Sequence, residues 1–180
     1  MVILKRFIFD ISFAVPSEER AMTCISGWKH TVKHIYTTGH RSYNITGATN
    51  THYVNSNGLP DDEHYTTVYD MYLILSAASG MEAFTDIIKT VSYDASYESA
   101  SGNTVTQKWV NTNRYLDGRA TAPENISVIG GKTGTTGQAG YCLILLSRNE
   151  KNEMLYSFVF GAGSGGDLYY YMNQILSEFG

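Results

Sequence analysis

The residues best suited to chemistry in this chain are Lys132, Thr133, Gly134 and Thr135, inside the run Gly131-Lys132-Thr133-Gly134-Thr135-Thr136. An ammonium, hydroxyls and a residue without a Cβ stand there in close succession. On an extended strand alternate residues share a face, so Lys132 and Gly134 fall together and Thr133 takes the other face or the strand edge. The ammonium supplies positive potential, Thr133 or Thr135 can hydrogen-bond a carboxylate, and Gly134 lets a ligand backbone approach closely. Such a strand suits one wall of an acyl-transfer cleft, where a nucleophile, a base, oxyanion donors and a carboxylate clamp converge.

The elements around this strand are readable from periodicity and turn chemistry. Three strands are predicted over 128–136, 140–148 and 154–161. The polar run Asn149-Glu150-Lys151-Asn152 turns the second into the third. Thr67 is expected to cap a helix, with Asp70 as its capping-box partner and Val68, Met71, Tyr72, Leu75 and Ala78 on the buried face. Gly80 ends that helix. Phe84, Ile87 and Ile88 predict a second, shorter one to about residue 91. Residues 93–110 read as a hairpin turning at Ser101-Gly102-Asn103. Asp167 is expected to cap a terminal helix whose apolar stripe is Leu168, Tyr171, Met172, Ile175, Leu176 and Phe179. The Tyr169-Tyr170-Tyr171 run is expected to place one tyrosine in the core and two at the surface. The predicted fold class is α+β, an antiparallel sheet packed with helices.

Composition narrows the function classes. The chain has 180 residues, 43% hydrophobic and 17% charged, enough for one domain with a core. A net charge of −4 leaves no basic footprint for nucleic acid. Cys24 and Cys142 do not make a disulfide framework. Residues 1–15 are apolar, but Asp10 interrupts them and no clean cleavage site follows, so they make a poor signal peptide. No apolar run reaches transmembrane length.

Several patterns imitate other chemistries. Gly161-Ala162-Gly163-Ser164-Gly165-Gly166 satisfies a dinucleotide fingerprint by letters, but that unit needs a further parallel strand and an acidic residue about twenty positions on, and neither follows. It reads as a strand-to-helix loop. His30 and His34, with Cys24 and His40 nearby, lack a matched ligand set, so no metal is expected. His52 and His64 flank a turn-rich loop and read as structural or solvent-facing.

With those set aside, four segments taken in order carry a resemblance. They are the run from Gly47-Ala48-Thr49-Asn50-Thr51-His52 through Asn57-Gly58-Leu59 to His64-Tyr65-Thr66-Thr67-Val68-Tyr69-Asp70-Met71; Trp109-Val110-Asn111-Thr112-Asn113; the Lys-Thr-Gly strand; and Gln138-Ala139-Gly140-Tyr141-Cys142-Leu143. Lys-Thr-Gly resembles the third motif of the penicillin-recognising serine enzymes. Together the segments resemble the serine-type D-alanyl-D-alanine carboxypeptidases over residues 46–180.

The resemblance implies part of the transpeptidase fold shared by penicillin-binding proteins and β-lactamases. It implies hydrolysis of the terminal D-alanine of peptidoglycan stem peptides through an acyl-serine, with β-lactams acylating the same serine. Lys132 would assist proton transfer, and Lys132, Thr133, Gly134 and Thr135 would contact the terminal carboxylate. No metal or organic cofactor is implied. The setting implied is the cell wall, outside the cytoplasmic membrane.

The other two family motifs occur only by letters. Ser26-Gly27-Trp28-Lys29 matches Ser-x-x-Lys but stands about twenty residues before Ala48, too close for the family's helical lobe. Ser101-Gly102-Asn103 matches Ser-x-Asn but follows Asn57-Gly58-Leu59, the reverse of the family's order, and reads as a turn. Residues 1–46 are therefore expected to be an unassigned stretch and 47–180 the C-terminal part of a catalytic domain. The abrupt change predicts a truncated or rearranged chain, whose exposed apolar surface would favour self-association. The competing expectation is a non-catalytic remnant that at most binds D-Ala-D-Ala peptides or β-lactams weakly.

Overall fold

A computed structural model describes residues 3–5, 47–53, 58 and 60–180. The expectations for Cys24, His30, His34, His40, the 26–29 tetrapeptide and the N-terminal apolar stretch lie almost wholly outside the described residues. So does the assignment of 1–46 as a separate stretch.

The elements run β1 (Ile3–Lys5), β2 (Tyr65–Thr67), α1 (Val68–Ser79), α2 (Glu82–Lys89), β3 (Ser92–Glu98), β4 (Thr104–Val110), β5 (Ser127–Thr136), β6 (Gly140–Arg148), β7 (Met154–Ala162) and α3 (Gly165–Phe179). Among the described residues all strand pairings are antiparallel: β1 with β2, β3 with β4, and the central sheet β5-β6-β7. The fold is α+β, as the alternation and the helical stripes indicate.

β6 is the buried middle strand, and its two faces belong to two cores. Leu143 and Leu145 pack with Val159, Leu168, Met172 and Leu176 beneath α3. Ile144 and Leu146 pack with Met71, Leu75, Ala78, Phe84 and Ile88 beneath α1 and α2. Period-two alternation in one strand therefore feeds a helical layer on each side.

Helix α1 begins as predicted: the Thr67 side chain accepts from the Asp70 backbone N–H at 3.0 Å. Its buried face is rotated from the expected one. Val68 and Tyr72 are exposed, whereas Asp70 is buried with Met71, Leu75 and Ala78. The cause is the Asp70 carboxylate, whose Oδ2 accepts from Asn50 N and from Thr51 Oγ1, both at 2.7 Å. Thr51 Oγ1 also bonds Thr66 Oγ1 at 2.8 Å. A buried carboxylate must be satisfied, and this one binds residues 47–53 to the start of α1.

Helix α3 departs from expectation in the same way. Ser164, not Asp167, is the N-cap. Its Oγ accepts from Asp167 N at 3.1 Å and donates to Asp167 Oδ2 at 2.7 Å. Tyr169, not Tyr171, takes the core position. Tyr170 and Tyr171 are exposed, as is Phe179. Tyr169 can be buried because its hydroxyl has a partner in the Arg114 backbone N–H at 2.8 Å.

Candidate functional site

The Lys-Thr-Gly run is set in the middle and end of β5. Lys132 pairs with Ile144, Thr133 with Leu143, and Gly134 with Cys142. Directly paired residues share a face. Lys132 and Gly134 therefore lie on the α1/α2 side, and Thr133 and Thr135 on the α3 side. The Lys132 ammonium donates to the Thr133 carbonyl.

Two glycines given no role in the sequence pattern make this placement possible. A Cβ on Gly130 would lie 2.5 Å from the Ile88 carbonyl oxygen, and one on Gly131 would lie 2.3 Å from that of Ile144. Both are backbone atoms that cannot swing aside, so any side chain here would move α2 or β6. The available signal was a glycine doublet inside a strand, which marks close backbone approach. The register of β5 against β6 shifts between Val128 and Gly130, just before the doublet.

The loop after β4, one of the four resembling segments, is fixed by its own side chains. Asn111 N donates to the Val91 carbonyl at 2.8 Å, and Asn111 Nδ2 donates to the Thr90 carbonyl at 3.0 Å. Asn111 Oδ1 accepts from Asn113 N at 2.9 Å, and Asn113 Oδ1 accepts from Tyr115 N at 3.2 Å. These side chains replace a strand ladder for the loop backbone. They hold Thr112 where its Oγ1 bonds Thr133 Oγ1. Beyond it, the Arg114 guanidinium carbon stands 5.2 Å over the Tyr169 ring. The Tyr115 hydroxyl donates to Asn173 Oδ1 at 2.7 Å. Burial pushes both tyrosine hydroxyls above their ordinary value, so each stays protonated near neutral pH.

Other candidates fall elsewhere. Ser101 and Asn103 sit at the β3–β4 turn, where Asn103 Nδ2 donates to Ser101 Oγ at 3.1 Å and Gly102 has φ +81°. Strands of seven residues put that turn roughly 20 Å from the 111–113 loop. Ser101-Gly102-Asn103 is a hairpin turn. His52 bridges to Tyr65, and its Nδ1 lies 2.6 Å from the Glu63 carbonyl oxygen. His64 is buried, its ring 5.0 Å from that of Tyr53. Burial chiefly holds His64 below its ordinary value, with Asp61 opposing and His52 reinforcing.

The segment 161–166 ends β7 and caps α3, with Gly161 at φ +73°. Burial pushes the Cys142 thiol up, and its Sγ accepts from Gly161 N. Among the described residues no group of three or more His, Cys, Asp or Glu is arranged to hold a metal ion.

A surface cleft of about 530 Å³ is lined by Asn50, Thr67, Val68, Asp70, Tyr72, Tyr156 and Phe158, among others. It lies between α1 and β7, two strands from β5. The chemistry-bearing side chains are on β5 and the 111–114 loop, so the cleft is not the candidate site.

Comparison with known proteins gives these groupings a context. The family model described as D-alanyl-D-alanine carboxypeptidase matches residues 40–164. D-alanyl-D-alanine carboxypeptidase DacF of Bacillus subtilis (strain 168) is 34% identical over 120 residues, which are 66% of this chain and 28% of that protein. The D-alanyl-D-alanine carboxypeptidase of Streptomyces sp. (strain K15) is 32% identical over 99 residues, 54% of this chain and 32% of that one. The chain thus spans about a third or less of the curated relatives it matches.

Among solved structures, a point mutant of the Streptomyces K15 DD-transpeptidase superposes with a TM-score of 0.67 at 22% identity, covering 92% of this chain and 58% of that one. The D-alanyl-D-alanine carboxypeptidase of Mycobacterium tuberculosis H37Rv superposes with 0.58 at 25% identity, covering 76% and 48%.

Proposed function

The chain belongs to the D-alanyl-D-alanine carboxypeptidase family, and from that premise we propose that its β5 is the substrate-holding strand of a serine-type carboxypeptidase. The substrate is the D-Ala-D-Ala terminus of a peptidoglycan stem peptide. The reaction passes through an acyl-serine that water hydrolyses, releasing D-alanine. β-Lactams would react with the same serine. The setting is the cell wall, outside the cytoplasmic membrane.

The observation that supports this reading most is the placement of Lys132 and Thr133 on opposite faces of one strand, with Thr133 bonded to Thr112 from a separate loop. In the proposed roles Lys132 contributes positive potential and proton transfer, and Thr133 and Thr135 offer hydroxyls to the terminal carboxylate. Gly134 leaves room for the peptide backbone. Preorganised donors at the site of developing charge are the main source of rate in acyl transfer.

A second reading is favoured by the Ser-x-Asn letters at 101–103, which form a hairpin turn away from the 111–113 loop. The described residues can then keep the clamp without the reaction. In that case residues 47–180 bind D-Ala-D-Ala termini without turnover.

Incubation with a fluorescent penicillin, followed by intact-mass measurement, separates the two. A mass increase of one penicillin, abolished in Lys132→Ala, supports the enzyme. No adduct, with retained binding of N-acetyl-D-alanyl-D-alanine, supports the clamp alone. Neither adduct nor binding, in a cooperatively folded protein, contradicts both.

A further inference from the structure

Asp70 holds a carboxylate that its own network only half uses. Oδ2 accepts from Asn50 N and Thr51 Oγ1, both at 2.7 Å. Among the described residues Oδ1 accepts no hydrogen bond, and the carboxylate has no ion pair. The residue is only 1% exposed, yet it lines the cleft of about 530 Å³ between α1 and β7. A buried anion without a counter-charge is costly, and a cation brought to Oδ1 would offset that cost.

The rest of the cleft suits a cation of one kind. Its walls are aromatic: Tyr69 and Tyr72 from α1, Tyr156 and Phe158 from β7. The Tyr72 and Tyr156 rings stand at 86° with centroids 5.4 Å apart, and the Tyr69 ring lies 6.2 Å from that of Tyr72. A hydrogen bond of 3.0 Å between Ser79 Oγ and the Tyr156 hydroxyl ties the β7 wall to the end of α1. Rings spaced and turned in this way can meet one cation within about 6 Å of more than one centroid. Among the described residues Asp70 is the only charged one in the lining, so no basic side chain there competes for its carboxylate. The volume falls within the roughly 300–1,000 Å³ of small-ligand sites. A metal ion would want several oxygen ligands, and a sugar several free donors and acceptors. Here Thr67 Oγ1 accepts from Asp70 N, and Asn50 Nδ2 donates to Thr49 Oγ1. What is left over is one carboxylate oxygen and aromatic surface, which is the complement of an alkylated ammonium.

We propose that the cleft between α1 and β7 is a second binding site, for an organic ammonium ion, with the tyrosine walls around the cation and the Asp70 carboxylate behind it. The site is separate from β5 and the 111–114 loop, and it stands independently of the peptide-binding reading.

The test is a ¹⁵N NMR titration of the full chain with choline and with its uncharged isostere 3,3-dimethyl-1-butanol. Choline should shift Val68, Tyr69, Tyr72 and Phe158 saturably and bind roughly tenfold more tightly than the isostere. Asp70→Asn keeps a carbonyl oxygen for Asn50 and Thr51 but removes the charge, and should bring the two probes within about twofold. Tyr69→Ala removes one exposed wall and should weaken choline by about fivefold. It decides the matter if Asp70→Asn does not fold. Equal binding of both probes by the wild-type chain, or binding of neither by a folded chain, would overturn the inference. So would a choline preference that survives in folded Asp70→Asn, or an affinity unchanged in Tyr69→Ala. N-acetylglucosamine moving the same residues more tightly than choline would make this a sugar site and overturn it too. None of these outcomes bears on β5, which is tested with N-acetyl-D-alanyl-D-alanine.

Discussion

The two faces of the central sheet are built from the same strand and finished differently. On the α3 side, Leu143, Leu145, Met172 and Leu176 are essentially inaccessible, and the face is sealed by one amphipathic helix. On the α1/α2 side, Ile144 and Leu146 are also buried, but α1 carries Val68, Tyr69 and Tyr72 exposed beside the open cleft. Lys132 lies on this second face and Thr133 on the first. The strand thus presents a hydroxyl on the side covered by α3 and an ammonium on the side covered by α1 and α2.

Substitutions on the two faces test that contrast. The largest effect is expected from Leu145→Ala in the sealed core, which should cost about 3 kcal/mol in a denaturant melt. Gly130→Ala follows, because its Cβ would meet the Ile88 carbonyl. It should cost roughly 1–3 kcal/mol and shift the Lys132 backbone resonances, through displacement of α2 against β5. If Gly130→Ala is neutral, the close approach of α2 to β5 is wrong.

His64 gives a smaller, pH-dependent effect. Its folded pKa lies below the ordinary 6.5, so the unfolded chain takes up a proton first as pH falls. Its contribution is present above 6.5 and is lost as pH falls from there through the folded value. Melting temperature should drop on acidification, and the slope should flatten in His64→Asn. The smallest effect belongs to Tyr69→Ser, on a side chain 66% exposed. It should change stability by no more than about 0.5 kcal/mol. A large loss there would mean that the open face is covered in solution.

Much of this was legible because the C-terminal half follows local rules. The β6 boundaries follow from turn residues at either end, and the hairpin from Ser101-Gly102-Asn103, where Gly102 takes positive φ. Where the reading went astray, a polar group decided the packing. Asp70 looked like a cap residue, but its carboxylate is pulled inward by Asn50 and Thr51, which turns Val68 and Tyr72 outward. Tyr169 displaced Tyr171 because a distant N–H, on Arg114, satisfies its hydroxyl. The same holds at the site: Lys132 to Thr135 were visible as a motif. The contacts of Thr112 with Thr133 and of Arg114 with Tyr169 join segments far apart in sequence, and no local pattern announces them.

The central claim is that β5 and the 111–114 loop together hold the D-Ala-D-Ala terminus. The most direct measurement is chemical-shift mapping of N-acetyl-D-alanyl-D-alanine on the ¹⁵N-labelled chain. The account predicts saturable shifts concentrated at Gly131, Lys132, Thr133, Gly134 and Thr135 and at Thr112 and Arg114, with the cleft residues Val68, Tyr72 and Phe158 unmoved. Shifts confined to that cleft, or none in a folded protein, would contradict it.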